Sequence, residues 1–274
     1  MAVYRARETE RPDAHFRDPF AAALAGDRGI EISRATTIDD RGWFFTARTV
    51  LFDQFIAAEV RRGVDLVVNL GAGVDARPYR LDLPESLQWI EVDLPSIIDY
   101  KTPILSAARP RCRLERIPLD LADVESRRRL LADLGSRAAR ALIICEGLVV
   151  YLTEEEVGAL AADLAETPTF ERWALEFPSP TLLHLMKEHK VGQVVRDAGA
   201  PFKFGPESGP DFFKPYGWQP VAVESIVKTA GRLNRLPLRL RMYSMFPESG
   251  AGQGLWSGVC LFERYEPGSV VRDP

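Results

Sequence analysis

Two spacings of apolar residues divide this chain. Residues 43–62 place Phe44, Ala47, Val50, Leu51, Phe55, Ala58 and Val60 at helical spacing and stop at Gly63, which predicts an amphipathic helix. Before it, DPFAAALAG at 18–26 has an acidic start, an apolar middle and a closing glycine, a second helical signal. From residue 65 onward the pattern changes to short strand-like runs at 65–70, 87–92, 113–119, 141–145 and 172–177. The first and fourth are continuously apolar, as strands covered on both faces must be. Helical stretches at 95–108, 124–134 and 153–164 separate them. The last of these has Thr153 as its N-cap and Glu154, Glu155 and Glu156 in its first turn, where the helix dipole favours acids. Strand–helix alternation of this kind predicts an α/β fold with a doubly wound, mostly parallel sheet.

After residue 178 the pattern loosens. Residues 178–193 read as helical, and 199–217, rich in Gly, Pro and Phe, as an ordered loop or cap. Residues 218–223 read as a strand, and SGVCLFER at 257–264 as the final strand. No helix is evident between these two, so they are expected to be antiparallel neighbours. The expected organisation is an N-terminal helical cap segment (1–62), a cofactor-binding core (63–178), a substrate cap insertion (179–217) and C-terminal strands completing the sheet (218–274).

Composition narrows the function classes. The 274 residues are 46% hydrophobic and 27% charged, ordinary for a globular α/β chain, with a net charge of −4. Lys and Arg form no single basic block, which argues against a nucleic-acid partner. Cys112, Cys145 and Cys260 lie far apart with no CxxC pair or Cys/His cluster, so neither a zinc site nor a disulfide framework is expected. His184 and His189 are five apart, not a zinc-ligand spacing, and His15 stands alone. MAVYRARETERPD lacks an apolar signal core, and no run approaches the roughly 18 apolar residues of a membrane span. A reducing cytoplasm fits these features.

The most informative stretch is VVNLGAGVDARPYRLD at 67–82, followed by QWIEVDLP at 88–95. A turn at the carboxyl end of a strand needs unusual dihedrals and close backbone approach, which Gly71 and Gly73 supply. In open α/β sheets the ligand sits at such a strand end. Asp93 follows Gly71 by 22 positions (93 − 71), which suits a carboxylate that accepts hydrogen bonds from two ribose hydroxyls. Glu91 competes for that role because it is closer to the strand end. Gly71, Gly73 and Ala76 also satisfy the dinucleotide pattern GxGxxG/A. Spacing alone therefore leaves open a nicotinamide-dependent oxidoreductase, or glycines that serve packing only.

Together, NLGAGVDARPYRL, EVDLP, the LDL at 119–121 and ICEGLVVYLTEEE at 144–156 resemble the leucine carboxyl methyltransferase family, most of all its bacterial branch with polyketide carboxyl methyltransferases. ARETERPDAHFRDPFAAALAG near the N-terminus resembles the same branch, so the likeness covers about residues 4–180. The resemblance implies a class I methyltransferase fold, Rossmann-like, with a seven-stranded sheet, an antiparallel last strand and a helical cap. It implies S-adenosylmethionine as cofactor and S-adenosylhomocysteine as product. Arg48, in GWFFTART, then matches an arginine that grips the methionine carboxylate, a task suited to a guanidinium fork. Gly71 and Gly73 match the turn beneath the methionine, Asp93 the ribose carboxylate, and Asp120 with Leu121 the pair beside adenine. Glu146 matches a position facing the cofactor's ammonium group and the methyl-transfer site. Tyr151 is a candidate for the substrate mouth or a packed aromatic, and Arg7 matches a basic residue reaching in from the N-terminal arm.

The expected reaction is O-methylation of the carboxylate of a small, largely apolar molecule. Such an acceptor is already ionised at pH 7 and needs no general base. The apolar character is suggested by Phe202, Phe204, Phe212, Phe213, Tyr216 and Trp218, which either wall a pocket or form the core of a small cap. A non-catalytic protein that binds the same cofactor is the remaining alternative.

Overall fold

Continuous apolar runs become strands buried on both faces. A computed structural model describes residues 1–35, 42–238, 240–241 and 250–265, with the side chain of residue 35 outside the description. β1 (Leu66–Leu70) and β4 (Ala141–Cys145) are buried at every position. Alternate residues still divide between the two faces of the sheet. Leu66, Val68 and Leu70 join Ala141, Ile143 and Cys145 in one core, and Val67 joins Leu142 and Ile144 in the other.

The remaining strands are β2 (Gln88–Asp93), β3 (Arg113–Pro118), β5 (Phe170–Pro178), β6 (Trp218–Ser225) and β7 (Ser257–Arg264). They form one seven-stranded sheet in the order β3-β2-β1-β4-β5-β7-β6. β1 to β5 pair parallel, whereas β7 runs antiparallel to both β5 and β6. The antiparallel pairing of the last strands is as expected, but the reason differs. A helix, α10 (Ile226–Arg232), does follow β6; it covers the sheet rather than carrying the chain to a parallel neighbour.

Ten helices are described in chain order: α1 (Ala2–Thr9), α2 (Ala21–Ala35), α3 (Gly42–Arg61), α4 (Arg77–Arg80), α5 (Pro95–Ile104), α6 (Val124–Ser136), α7 (Glu154–Ala165), α8 (Pro180–Glu188), α9 (Lys190–Asp197) and α10. α6 and α7 bury Leu131, Leu134, Val157, Leu160 and Leu164 against one face. α7 begins with a capping box: Thr153 Oγ1 accepts from the Glu156 amide at 3.2 Å, and Glu156 Oε2 accepts from the Thr153 amide at 2.7 Å. On the other face lie α3, through Ala47, Leu51, Phe52 and Ile56, and α10, through Ile226 and Ala230. α3 is thus a sheet-covering helix, and α1 packs on it by stacking Tyr4 on Phe45 at 4.5 Å.

Several elements depart from the pattern reading. Gly26 ends its helix as read, with φ +54 and ψ −177, but a second helix starts directly beyond it, so α2 is two helices joined at a kink. The helical stretch at 178–193 is two helices, parted where His189 turns extended and its Nδ1 accepts from the Val191 amide. Residues 199–217 end in a short 3-10 helix, Gly209–Tyr216. Its rings are core: Phe204, Phe213 and Trp218 are fully buried with Trp173, Phe177 and Phe262. Within the C-terminal segment, residues 239, 242–249 and 266–274 lie outside the described residues. Among the described residues, no helix is long and apolar enough to cross a membrane, and no group of His, Cys, Asp or Glu is arranged to hold a metal ion.

Candidate functional site

The glycine turn hangs from the carboxyl end of β1. Gly71 and Gly73 adopt φ of +67 and +50, the left-handed region open to glycine. The Gly71 amide donates to the Val92 carbonyl at 2.9 Å, which ties the turn to β2. A Cβ on Gly71 would stand 3.1 Å from Leu148 Cδ1, whereas one on Gly73 would meet nothing closer than the Gly71 carbonyl at 4.0 Å. The turn is packed on one side and open on the other.

Asp93, half-buried at the end of β2, receives the Gly73 amide on Oδ2 at 2.6 Å and the Leu94 amide on Oδ1 at 2.7 Å. Glu91 is elsewhere. Its side chain is fully enclosed, with Lys101 Nζ at 2.8 Å and Arg116 Nε at 2.9 Å. Of the two acids that spacing left open, only Asp93 stands at the turn. Asp120 is exposed beyond β3 and accepts from the Ala122 amide at 2.9 Å, while the Leu121 carbonyl accepts from Arg127 at 2.7 Å.

The chemistry concentrates where β4 and β5 end. Ile144 and Ala174 are register partners, and two residues further along lie Glu146 and Glu176, on the face that α3 covers. Arg48 comes down from α3, 5% exposed, and donates from Nε to Glu146 Oε1 at 3.1 Å and from Nη1 to Glu176 Oε1 at 2.7 Å. Its Nη2 faces the Met1 thioether. Met1 also lies over Gly147, where a Cβ would stand 3.5 Å from Met1 Cε. Arg77, from α4, closes the cluster on the other side: Nη1 lies 2.6 Å from Glu146 Oε2 and 2.9 Å from Asp75 Oδ2, and Nε donates to Asp53 at 2.6 Å. Arg80 grips Asp53 with both terminal nitrogens at 2.7 Å.

Guanidiniums and burial compete for these acids. At Glu146 burial pushes the carboxyl up, but Arg77 and Arg48 outweigh it and hold it below the ordinary carboxylate range. Asp75 is likewise held well down, by Arg77, Lys101, Arg5 and Arg80 against burial. At Glu176 burial wins. With Arg48 shared and Glu146 adjacent, the carboxyl rises to about 7. Glu176 Oε1 also accepts from the Gly147 amide at 2.7 Å, while its Oε2 is buried without a hydrogen-bond partner. Around Arg48 and Arg77 stand three acids, Glu146, Glu176 and Asp75, and the Arg80–Asp53 pair adds one charge of each sign, so charges balance when Glu176 is protonated and one acid is in excess when it is ionised.

Sequence reasoning placed Arg48 and Glu146 here but missed Glu176, Arg77 and Asp75. A charged residue inside the apolar run WALEFP was the available signal for Glu176. From the N-terminal arm it is Arg5 that reaches the turn, bonding Asp18 and the Val74 carbonyl. Arg7 instead lies exposed over the Tyr4 ring, on a groove with Trp43 and Arg235. Tyr151 stacks on Phe202 at 5.6 Å. The neighbouring Val150 carbonyl accepts the Lys203 and Phe204 amides, so the insertion is fastened to the exit of β4.

Comparison with known proteins matches residues 1–165 to the leucine carboxyl methyltransferase family. The chain belongs to this family. The resemblance read from the motifs is therefore borne out. A relative from Streptomyces avermitilis is 35% identical over 175 residues, covering 60% of this chain and 62% of that protein. One from Parafrankia is 28% identical over 261 residues, covering 89% and 83%. Both carry the provisional name S-adenosyl-L-methionine-dependent methyltransferase. The matched region spans about three fifths of the Streptomyces relative's length. Among solved structures, a DUF574 family protein from Streptomyces avermitilis superposes with a TM-score of 0.61 at 15% identity, covering 96% of each chain. Magnesium protoporphyrin IX methyltransferase from Synechocystis, with bound S-adenosylhomocysteine, gives 0.50 at 13% identity, covering 88% of this chain and 97% of that one. These two likenesses establish the fold. The reversed β7 also departs from the 3-2-1-4-5-6 order of dinucleotide-binding sheets.

Proposed function

We propose that this protein is an S-adenosylmethionine-dependent O-methyltransferase that acts on the carboxylate of a small, largely apolar molecule. The observation that carries this reading is the acid-rich cluster at the ends of β4 and β5, beside a glycine turn open on one side. A sulfonium amino acid brings an ammonium group for which Glu146 is an acceptor and a carboxylate for which Arg48 is a donor. The orphaned Arg77 Nη2 is the kind of group the carboxylate of such a ligand satisfies. Met1 supports the fit, because a methionine side chain already rests on Arg48 and Gly147.

In this reading Gly71 and Gly73 bring backbone against the methionine, and Asp93 accepts from the ribose hydroxyls. Asp120 and Leu121 flank adenine. Arg48 turns Nη2 to the cofactor carboxylate, and Glu146 faces its ammonium group. Arg5, rather than Arg7, steadies the turn from the N-terminal arm. When bound, the cofactor supplies an electrophilic methyl group. The protein's part is to orient, to exclude water and to hold charge. The insertion rings are core, so the apolar wall is reduced to Tyr151 and Phe202.

A screen of carboxylic acids and the matching alcohols with radiolabelled cofactor tests the proposal. Label transferred to the acids as base-labile esters supports it. Transfer to alcohols alone, or no transfer to any acceptor, contradicts it.

A further inference from the structure

Glu176 is the one buried acid of the site with an oxygen to spare. Its Oε1 accepts from both Arg48 Nη1 and the Gly147 amide, each at 2.7 Å. Its Oε2 has neither partner nor solvent. A bare carboxylate oxygen sealed in this way is costly, whereas a protonated one is a donor waiting for an acceptor. The two donors on Oε1 leave Oε2 as the oxygen that takes a proton.

The surroundings supply no second cation at neutral pH: the Met1 amino group beside Arg48 and Glu146 is pushed down to about 5, by burial first and then by Arg5 and Arg48. α3 contributes Arg48, which Glu146 shares; Arg77 is committed to Glu146, Asp75 and Asp53. β4 contributes Glu146, which favours the neutral form, and Cys145, whose thiol burial keeps uncharged; burial of Glu176 itself is the largest influence towards neutrality. The 3-10 helix Val149–Tyr151 contributes Tyr151, itself held neutral by burial. β7 presents Val259 as the register partner. In sheet order Glu176 lies one strand further from the glycine turn than Glu146, on the side where β5 leads into the insertion.

We infer that Glu176 is a specificity residue of this site: its Oε2–H donates a hydrogen bond to one oxygen of the acceptor's carboxylate and leaves the other oxygen free to be methylated. This rests on the methyl-transfer reading above. The proton stays on Glu176 throughout, because methylation of an ionised acceptor releases none. A hydroxyl acceptor, which must lose a proton, would find here a group that already holds one. Met1, lying over Gly147 and Arg48, covers the two groups that fix Oε1 and must move aside for the acceptor to arrive.

The test uses the full chain loaded with S-adenosylhomocysteine, as wild type and Glu176→Gln. Infrared difference spectra should show a neutral-carboxyl band at pH 6 that fades by pH 8 and is missing from the variant. Octanoate, ionised at both pH values, serves as the acceptor probe in calorimetry. Its affinity should fall about tenfold from pH 6 to pH 8 in the wild type, following the protonated fraction. It should stay constant in Glu176→Gln, whose amide donates at both. Glu176→Asp, if the glutamine variant does not fold, should keep a titrating band and lose octanoate. An ionised Glu176 at both pH values, octanoate binding that ignores pH, or no octanoate binding overturns the inference. If S-adenosylhomocysteine itself does not bind, the methyl-transfer reading fails first.

Discussion

Of the buried charge clusters among the described residues, one lies under β2 and another at the ends of β4 and β5. Both set a glutamate between two cations. Glu91 has Lys101 at 2.8 Å and Arg116 at 2.9 Å, while Glu146 has Arg77 at 2.6 Å and Arg48 at 3.1 Å. Burial and pairing therefore do not tell them apart. Under β2 each carboxylate oxygen has its own cation, at 2.8 and 2.9 Å, the Lys101 contact being an ion pair outside hydrogen-bond geometry, and Glu91 and Lys101 are wholly enclosed. At the strand ends a second glutamate joins, one oxygen is left over, and a glycine turn stands open beside it. An unmatched group at the carboxyl end of a parallel sheet, rather than buried charge as such, distinguishes a candidate site from a structural ion pair.

The comparison breaks most sharply at Lys101. Lys101→Met leaves Glu91 enclosed with only Arg116, and unfolding free energy in urea should fall by about 3–5 kcal/mol. Affinity for S-adenosylhomocysteine should hold. A tenfold loss of that affinity would mean that the clusters act as one.

Next comes pH. Glu176 sits at about 7 in the folded chain against an ordinary 4.5, so the native state binds the extra proton. The associated stability is full below about 4.5 and is lost as pH rises through 7, amounting to about 3 kcal/mol. The wild type should lose that much relative to Glu176→Gln between pH 4.5 and pH 8, measured by denaturant titration. A constant gap contradicts the placement of the proton.

Arg48→Ala removes the cation shared by both glutamates. Binding of S-adenosylhomocysteine should weaken by about 1.5–3 kcal/mol, the scale of a charged hydrogen bond. Unchanged affinity takes Arg48 out of the site. The smallest effect is expected at Gly71→Ala, where a side chain in the left-handed region, pressed on Leu148, should cost about 1–2 kcal/mol of stability in a thermal melt.

The sheet was legible because its inner strands are covered on both faces, so LVVNL and ALIIC cannot be mistaken for surface. The short helices were not. α1 reads as a polar arm, AVYRARET, yet it buries Ala2, Val3, Tyr4, Arg5 and Glu8 through contacts made far along the chain. Glu8, for instance, pairs with Arg235 at 2.9 Å, which no local pattern announces. α10, IVKTAGR, carries only two core residues at its helical face, Ile226 and Ala230. Gly71, Gly73 and Arg48 were found through motifs. Glu176 and Arg77 were passed over because one sits inside an apolar run and the other inside a turn motif, where attention falls on the glycines. Phe204 and Phe213 show a further limit: ring density reveals burial but not whether the rings face a ligand or each other.

The central claim is that the open turn and the acid-rich strand ends form an S-adenosylmethionine site. Calorimetric titration of the full chain with S-adenosylhomocysteine tests it most directly, with NAD as the competing ligand. The account predicts saturable binding of S-adenosylhomocysteine, weakened in Arg48→Ala, and no heat from NAD. Binding of NAD with no response to S-adenosylhomocysteine would contradict it.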